Sequence, residues 1–401
     1  MTGWDHIAFV CVQHLLPTTV SLFKVLLKLG VKSENIYLLG KHYSTHKESK
    51  ETIRDLGINL QSNLIQTKLG NFSEAFTCDV KNLWNFVLHD ILQKDINALI
   101  ILDDGGHCLA NTPEKLIIKY RIVGIEQTAS GLFNPKVLKL PFPLINVACS
   151  AAKKWLEPPI ISNAIVRKLS SILPLEDGKL CCGVIGFGAI GKAVAFKLSI
   201  LNNSVVAYDK NHFQNTKDTI ISHTKSIEKV ILNSDHIFGC TGTDITANVD
   251  ILKIMNKEKS LISCSSEDIE FRLLLKLIQQ NNHSKFKLTF PLSDILYESE
   301  CDRIIRIYRS GFPINFDNSK EIEYPKEIQL TRGLLLGGIL QAISLMPLMK
   351  KNRHARLALH SDIQQFIVHR WKENQTGDFR ISKFLEYFDD ISWIKNHSEA
   401  K

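Results

Sequence analysis

Three glycines, Gly186, Gly188 and Gly191 in the run "GFGAIG", have the spacing of a turn that lets bare backbone approach a phosphate. The residues around them read as strand ("KLCCGVI"), glycine turn and helix ("AIGKAVAFKLSIL"), the context this motif needs. The first glycine permits the tight turn and the second admits a pyrophosphate. The third lets helix pack on strand, while the helix N-terminus offers free N–H groups and a favourable dipole. Asp209 ends the next strand, "SVVAYD", 18 residues after Gly191, where a carboxylate would accept from ribose hydroxyls. An acid there favours NAD over NADP, and Lys210 directly after it softens that preference. A glycine-rich turn in an α/β unit without nucleotide is the plainer alternative.

A second stretch with chemical content is "LIILDDGGHCLAN", in which an apolar run ends in Asp103, Asp104, Gly105, Gly106 and His107. Asp and Gly suit a turn that simply ends a strand. Open α/β sheets also bind ligands beyond the carboxyl ends of their strands, so the same residues read as a ligand site.

The elements that must position these residues alternate between strand and helix. "HIAFVCV", "TTVSLFKVLLKLG", "NIYLLG", "HKESKETIRDLG" and "NALIILDDGG" follow one another with the rhythm of a parallel sheet and crossover helices. A long helical segment, "IISNAIVRKLSSIL", precedes the glycine motif. The alternation then resumes through "SDHIFGCTGTD" and "SLISCSSED" to an apolar helix from about Gln329 and amphipathic segments near the C-terminus.

The 401 residues exceed the usual size of one domain, and 44% hydrophobic with 22% charged residues is a globular composition. The net charge of +8 comes from scattered lysines, with no basic stripe interleaved with aromatics, so nucleic acid is not implied. Nine cysteines without a C-x-x-C pair or Cys/His ligand spacing favour buried free thiols over zinc or disulfides, and no metal is expected. "MTGWDHIAFVCV" has no basic leader, and "GLLLGGILQAISLMPLM" is short for a membrane span and reads as a buried helix. A cytoplasmic protein with no membrane partner is expected.

Taken in order, these pieces resemble the S-adenosylhomocysteine hydrolase family. "ILDDGG", "GIEQTASG", "LPFPLINVACSAAKKWLE", "GFGAIGK" and "GCTGTDI" each stand where that family has a related segment. The 2-hydroxy-acid dehydrogenases are the runner-up. They would want an arginine after the strand "SLISC", and "LISCSSEDIE" offers none. The resemblance implies that a tightly held NAD oxidises a substrate hydroxyl and later reduces it back. It makes Asp104, Lys153, His14 and Glu157 catalytic candidates, and Gln127, Thr128 and Ser130 substrate-binding candidates. It adds Thr241, Gly242 and Asn315 to Gly186, Gly188, Gly191 and Asp209 as NAD contacts, and it implies a homo-oligomer. Lys153 reads equally as a solvated lysine beside Lys154, His14 as a strand-end histidine, and Glu157, before Pro158 and Pro159, as part of a helix stop.

The departures are as specific. Gln127 replaces a glutamate that grips ribose hydroxyls, Leu16 and Thr18 stand in place of adenine-holding residues, and Ser266 replaces a histidine. They imply oxidation of a secondary hydroxyl on another nucleoside- or sugar-like small molecule. A non-catalytic NAD-binding regulator and a dehydrogenase with exchangeable cofactor are the alternatives. The expected fold is α/β, with a Rossmann-type NAD-binding domain at 166–317 inserted in a discontinuous substrate-type α/β domain, residues 1–165 and 318–401.

Overall fold

The computed structural model describes residues 4–61, 68–211, 220–281, 292–299, 303–320, 323–348 and 354–375. Cys301 and the amphipathic stretch expected beyond residue 375 lie outside the described residues. The chain divides into two compact units. Unit 1 comprises Met1–Asn63, Phe76–Glu157 and Tyr324–Lys401, and unit 2 comprises Leu64–Ala75 and Pro158–Glu323.

Unit 1 is built on a parallel seven-stranded sheet. Its first six strands are β1 (Ile7–Leu15), β2 (Ile36–Thr45), β3 (Asn59–Gln61), β4 (Ala98–Asp103), β5 (Arg121–Glu126) and β6 (Pro143–Asn146). The strand Ala355–Ala358 closes one edge beside β6, and the order from that edge is β6, β5, β4, β1, β2, β3. Every residue of β1 and of β4 is buried, as expected for central strands covered on both faces. The helix Pro17–Lys28 follows β1 and ends before Gly30, which holds a left-handed φ of 96° beyond the last turn.

The apolar helix expected near Gln329 runs from Pro325 to Leu345 and is the core helix of unit 1. With the turn that follows, to Leu348, it is long and apolar enough to cross a membrane by length and composition, yet 61% of its most apolar window is buried in the fold. Its glycines allow that burial. A Cβ on Gly337 would sit 2.6 Å from the Ile363 methyl, and one on Gly338 would sit 3.0 Å from Val147.

Unit 2 carries β7 (Cys181–Ile185), β8 (Ser204–Tyr208), β9 (Ser222–His223), β10 (His236–Gly239), β11 (Lys259–Ser263), β12 (Ile295–Glu298) and β13 (Ile304–Ile307). Their order is β12, β13, β11, β10, β7, β8, β9, and only the β12–β13 pair is antiparallel. Val184, Val205, Phe238 and Ile262 of the sheet pack with Val194 and Leu198 of the helix after the glycine turn. The fold is thus α/β with two parallel-dominated sheets, and unit 2 is Rossmann-type.

One local expectation fails. "EPP" reads as a helix stop, but the helix runs unbroken from Ala151 to Ser170 with Pro158 and Pro159 inside it. Each proline removes one helical N–H, and the helix crosses from unit 1 to unit 2 at Glu157 and Pro158.

Candidate functional site

In unit 2 the glycine turn lies at the carboxyl end of β7. Gly186 holds φ 93°, and a Cβ on Gly191 would come within 1.9 Å of the Gly186 carbonyl oxygen, so helix and turn meet in contact only glycine permits. Gly188 caps the helix Ala189–Ile200 without a side chain, and a Cβ there would meet no heavy atom within 4 Å. That open space over the first N–H groups of a helix is the shape a pyrophosphate needs.

Asp209 follows β8. Its Oδ2 accepts from the Phe187 N–H at 2.7 Å and its Oδ1 from the Asn211 N–H at 2.8 Å. A carboxylate has room for about four donors, so capacity remains for two ribose hydroxyls. Turn, helix end and acid therefore fit a dinucleotide. NAD is expected to bind at least tenfold tighter than NADP, whose extra phosphate would meet the Asp209 charge. Competitive titration of the two checks this, and equal affinity would contradict the role of Asp209.

Thr241 and Gly242 follow β10, and a residue that sequence reading passed over holds them. The buried Glu270 carboxylate accepts from the Thr241 N–H at 2.7 Å, the Gly242 N–H at 2.6 Å and the Thr241 hydroxyl at 2.8 Å, and Ser265 Oγ donates to it as well. Burial pushes the Glu270 carboxyl up to about 7 despite these donors. A raised acid stabilises the fold less as pH climbs from its unfolded value, near 4.3, to its folded one. Glu270→Gln removes this titration. Between pH 4.5 and 7 the wild type should lose about 3 kcal/mol relative to the variant, read from denaturant midpoints. A constant difference would contradict it.

Asn315 is buried and donates to Glu323 Oε1 at 3.4 Å. It lines a cavity of about 160 Å³ with Arg167, Lys168 and Asp317, the last two ion-paired at 2.6 Å. Among the described residues no cluster of three His, Cys, Asp or Glu side chains could hold a metal.

In unit 1 the ends of β1, β2, β4 and β5 bring together a second polar group. Asp104 lies just past β4 and is 3% exposed. Lys41, fully buried on β2, donates to Asp104 Oδ1 at 2.6 Å, His14 Nε2 lies 3.3 Å from Oδ2, and Gln127 Nε2 donates to Oδ2. Burial alone would raise the Asp104 carboxyl, but Lys41, helped by the His14 contact, holds it well below the usual carboxylate range. Burial lowers His14 below the ordinary imidazole value, aided by Lys41 and Arg332. A neutral His14 that donates from Nε2 to Asp104 receives the Ser44 hydroxyl at Nδ1.

The two acids of "DDGG" divide the work. Asp103 Oδ2 accepts from the Leu109 N–H at 2.8 Å and anchors the helix His107–Ala110, and burial pushes its carboxyl up to about 6. Gly105 and Gly106 both hold left-handed φ, and a Cβ on Gly106 would strike the Gly131 backbone at 2.8 Å. Across the ladder Glu126 pairs with Asp103, and burial followed by the Asp103 charge raises it well above its usual value. Glu126 Oε1 takes the Thr128 N–H and hydroxyl at 2.7 and 2.6 Å.

The expected site residues of unit 1 thus separate. His14, Asp104 and Gln127 form one group. Thr128 instead caps the helix Ala129–Leu132 and turns its hydroxyl to Glu126, and Ser130 is exposed on that helix. Lys153 and Glu157 form an i,i+4 ion pair, with Glu157 Oε1 accepting from Thr331 at 2.7 Å. Sequence reading missed Lys41, Ser44, Gln13 and Arg332. Lys41 had a signal, a lysine directly after the apolar run "IYLLG". Arg332 had none, because it arrives from a helix more than 300 residues away in the chain, with Nε 3.3 Å from Thr18 Oγ1.

Residues 169–280 match the family model described as the NAD binding domain of D-isomer specific 2-hydroxyacid dehydrogenases. Unit 2 carries an NAD-binding domain of the dehydrogenase type, and NAD is its cofactor. Two relatives in Mycobacterium tuberculosis, from strains CDC 1551 and H37Rv, are each 27% identical over 340 residues, 84% of this chain. Both are described as uncharacterized proteins, and the chain spans 64% of their length. Among solved structures, the NAD-complexed D-isomer specific 2-hydroxyacid dehydrogenase of Lactobacillus delbrueckii ssp. bulgaricus is 12% identical, with 86% of this chain and 100% of that one covered and a TM-score of 0.39. A D-lactate dehydrogenase from Treponema pallidum is 11% identical, with 85% and 98% covered and a TM-score of 0.38.

The match overturns the resemblance to S-adenosylhomocysteine hydrolase, and the expectation of a hydrolase falls with it. "GFGAIGK" satisfies the backbone demands of any dinucleotide turn and does not separate families. The second glycine of "DDGG", Gly106, meets a local packing demand at Gly131. The missing arginine after β11, where Ser265 and Ser266 stand, is a departure inside the matched segment.

Proposed function

We propose that this chain is an NAD-dependent oxidoreductase that oxidises a secondary hydroxyl of a small molecule, with unit 2 holding NAD and the polar strand ends of unit 1 serving the substrate. The observation that carries the reading is the Gly186–Gly191 turn with Asp209, inside the segment that matches a dehydrogenase NAD-binding domain. Bound NAD supplies a hydride acceptor. The balance is alcohol plus NAD+ giving ketone, NADH and one proton, so the chain must take the hydroxyl proton.

Asp104 is committed to Lys41, His14 and Gln127, and His14 to Ser44 and Asp104. The Lys153–Glu157 pair is the better proton acceptor in unit 1. Its two groups share one ion-pair contact, Glu157 is anchored by Thr331, and the lysine side chain keeps 12% exposure. The Glu157 carboxylate accepts the hydroxyl proton, and the Lys153 ammonium paired with it holds the hydroxyl in place.

The test is NADH formation from a panel of secondary alcohols by the wild type and by Lys153→Met. The variant should lose at least 100-fold in turnover while binding NAD unchanged. Unaltered turnover would remove Lys153 from the chemistry. A second reading, NAD binding without turnover, is favoured by the full complement of partners on Asp104 and His14. NADH formation from no alcohol in the panel, with NAD still bound, would select it.

A further inference from the structure

Two buried side-chain amides in unit 1 have orientations that their charged neighbours fix. Gln13 Oε1 accepts from Arg332 Nη1 at 3.3 Å. A guanidinium only donates, so the amide cannot be turned around, and Gln13 Nε2 is left buried with no hydrogen-bond partner. Gln127 Nε2 donates to Asp104, a carboxylate that only accepts, and Gln127 Oε1 is left buried without a partner in the same way. One orphan is a donor and the other an acceptor.

The ladder places them on either side of Asp104. Cys11 pairs with Leu102 and Asp103 with Glu126. Extended past the strand ends, that register sets Gln13, Asp104 and Gln127 in a row across β1, β4 and β5, with about 4.8 Å between neighbouring strands. A buried donor or acceptor left unmade is unfavourable, so a ligand that satisfies both is favoured.

The sense of the two orphans selects the ligand's charge. An anion would satisfy Gln13 Nε2 but face Gln127 Oε1 and the Asp104 carboxylate. A cation would satisfy Gln127 Oε1 but face Gln13 Nε2, Lys41 and Arg332. A neutral hydroxyl donates and accepts, and two hydroxyls on different carbons satisfy both ends of the row. We propose that Gln13 and Gln127 flank a binding site for a neutral polyol or sugar, one hydroxyl accepting from Gln13 Nε2 and another donating to Gln127 Oε1. This deepens the proposed function, resting on its reading of unit 1 as the substrate-holding unit, and names the class of alcohol.

The test titrates the full chain, without NAD, with myo-inositol, ribitol and D-ribose, and with lactate and glycerate as anionic counterparts. At least one neutral probe should bind and raise the melting temperature, and at least tenfold more tightly than either hydroxy acid. Gln13→Leu and Gln127→Leu should each weaken that binding tenfold or more. No binding by any neutral probe, tighter binding of the hydroxy acids, or unchanged affinity in folded variants would overturn the proposal and leave water on the two amides. The wild-type selectivity decides the matter if either variant fails to fold. Polyol binding without NADH formation keeps this site and removes the oxidation. NADH formed from hydroxy acids alone keeps the oxidation and removes this site.

Discussion

Asp104→Asn should destabilise the chain by about 3–5 kcal/mol at neutral pH, because it removes the carboxylate charge that pairs with the fully buried Lys41 ammonium. The substitution keeps the shape of the side chain, so the loss reports charge rather than packing. Lys41→Met combined with Asp104→Leu should recover much of it, since removing both partners of a buried pair costs far less than removing one. The pH dependence has a definite sign. The folded Asp104 carboxyl lies below its unfolded value, so its contribution is present above about pH 4 and is lost as pH falls through the folded value. Asp103 and Glu126 act oppositely, their folded values being raised, so they contribute less as pH rises. Denaturant unfolding of Asp104→Asn and of the double variant checks the claim. A loss under 1 kcal/mol for Asp104→Asn, or one that does not shrink below pH 4, would contradict it.

The second large effect separates binding from folding at two glycines three residues apart. Gly188→Ala adds a methyl where no heavy atom lies within 4 Å, at an ordinary φ of −72°, so stability should change by less than about 0.5 kcal/mol. The methyl occupies the space over the helix N-terminus, and NAD affinity should fall at least tenfold. Gly191→Ala drives its methyl against the Gly186 carbonyl oxygen, a backbone atom that no rotamer change can move. It should cost more than 2 kcal/mol of stability and abolish NAD binding together. Melting temperatures beside NAD titrations distinguish the two. Equal effects of both substitutions, or undiminished NAD affinity in Gly188→Ala, would show that the dinucleotide does not approach this turn.

The architecture was legible because its signals are local. Fully apolar runs such as "IAFVCV" and "LIIL" read as strands covered on both faces, and the glycine spacing states its own backbone demands. The same locality misled the family reading. "GFGAIGK" answers to the phosphate and helix–strand contact alone, and Gly106 of "DDGG" answers to the approach of Gly131, so short matches to another family carried little information. The polar group of unit 1 was half legible. Asp104, His14 and Gln127 stand at the ends of recognisable strands, whereas Lys41, Ser44 and Arg332 join them only through strand order and a distant helix. Glu270 escaped for a related reason. Nothing in "SSEDIEF" shows that its second glutamate turns back to hold Thr241 and Gly242.

The most direct test denatures the purified full chain and quantifies NAD and NADH released per chain, then titrates nucleotide-free protein with NAD. NAD recovered with the protein, or saturable NAD binding at one site per chain that Gly188→Ala weakens, is the expected result. Neither retained nucleotide nor saturable binding of added NAD would contradict the assignment of unit 2, and the proposed oxidation would fall with it.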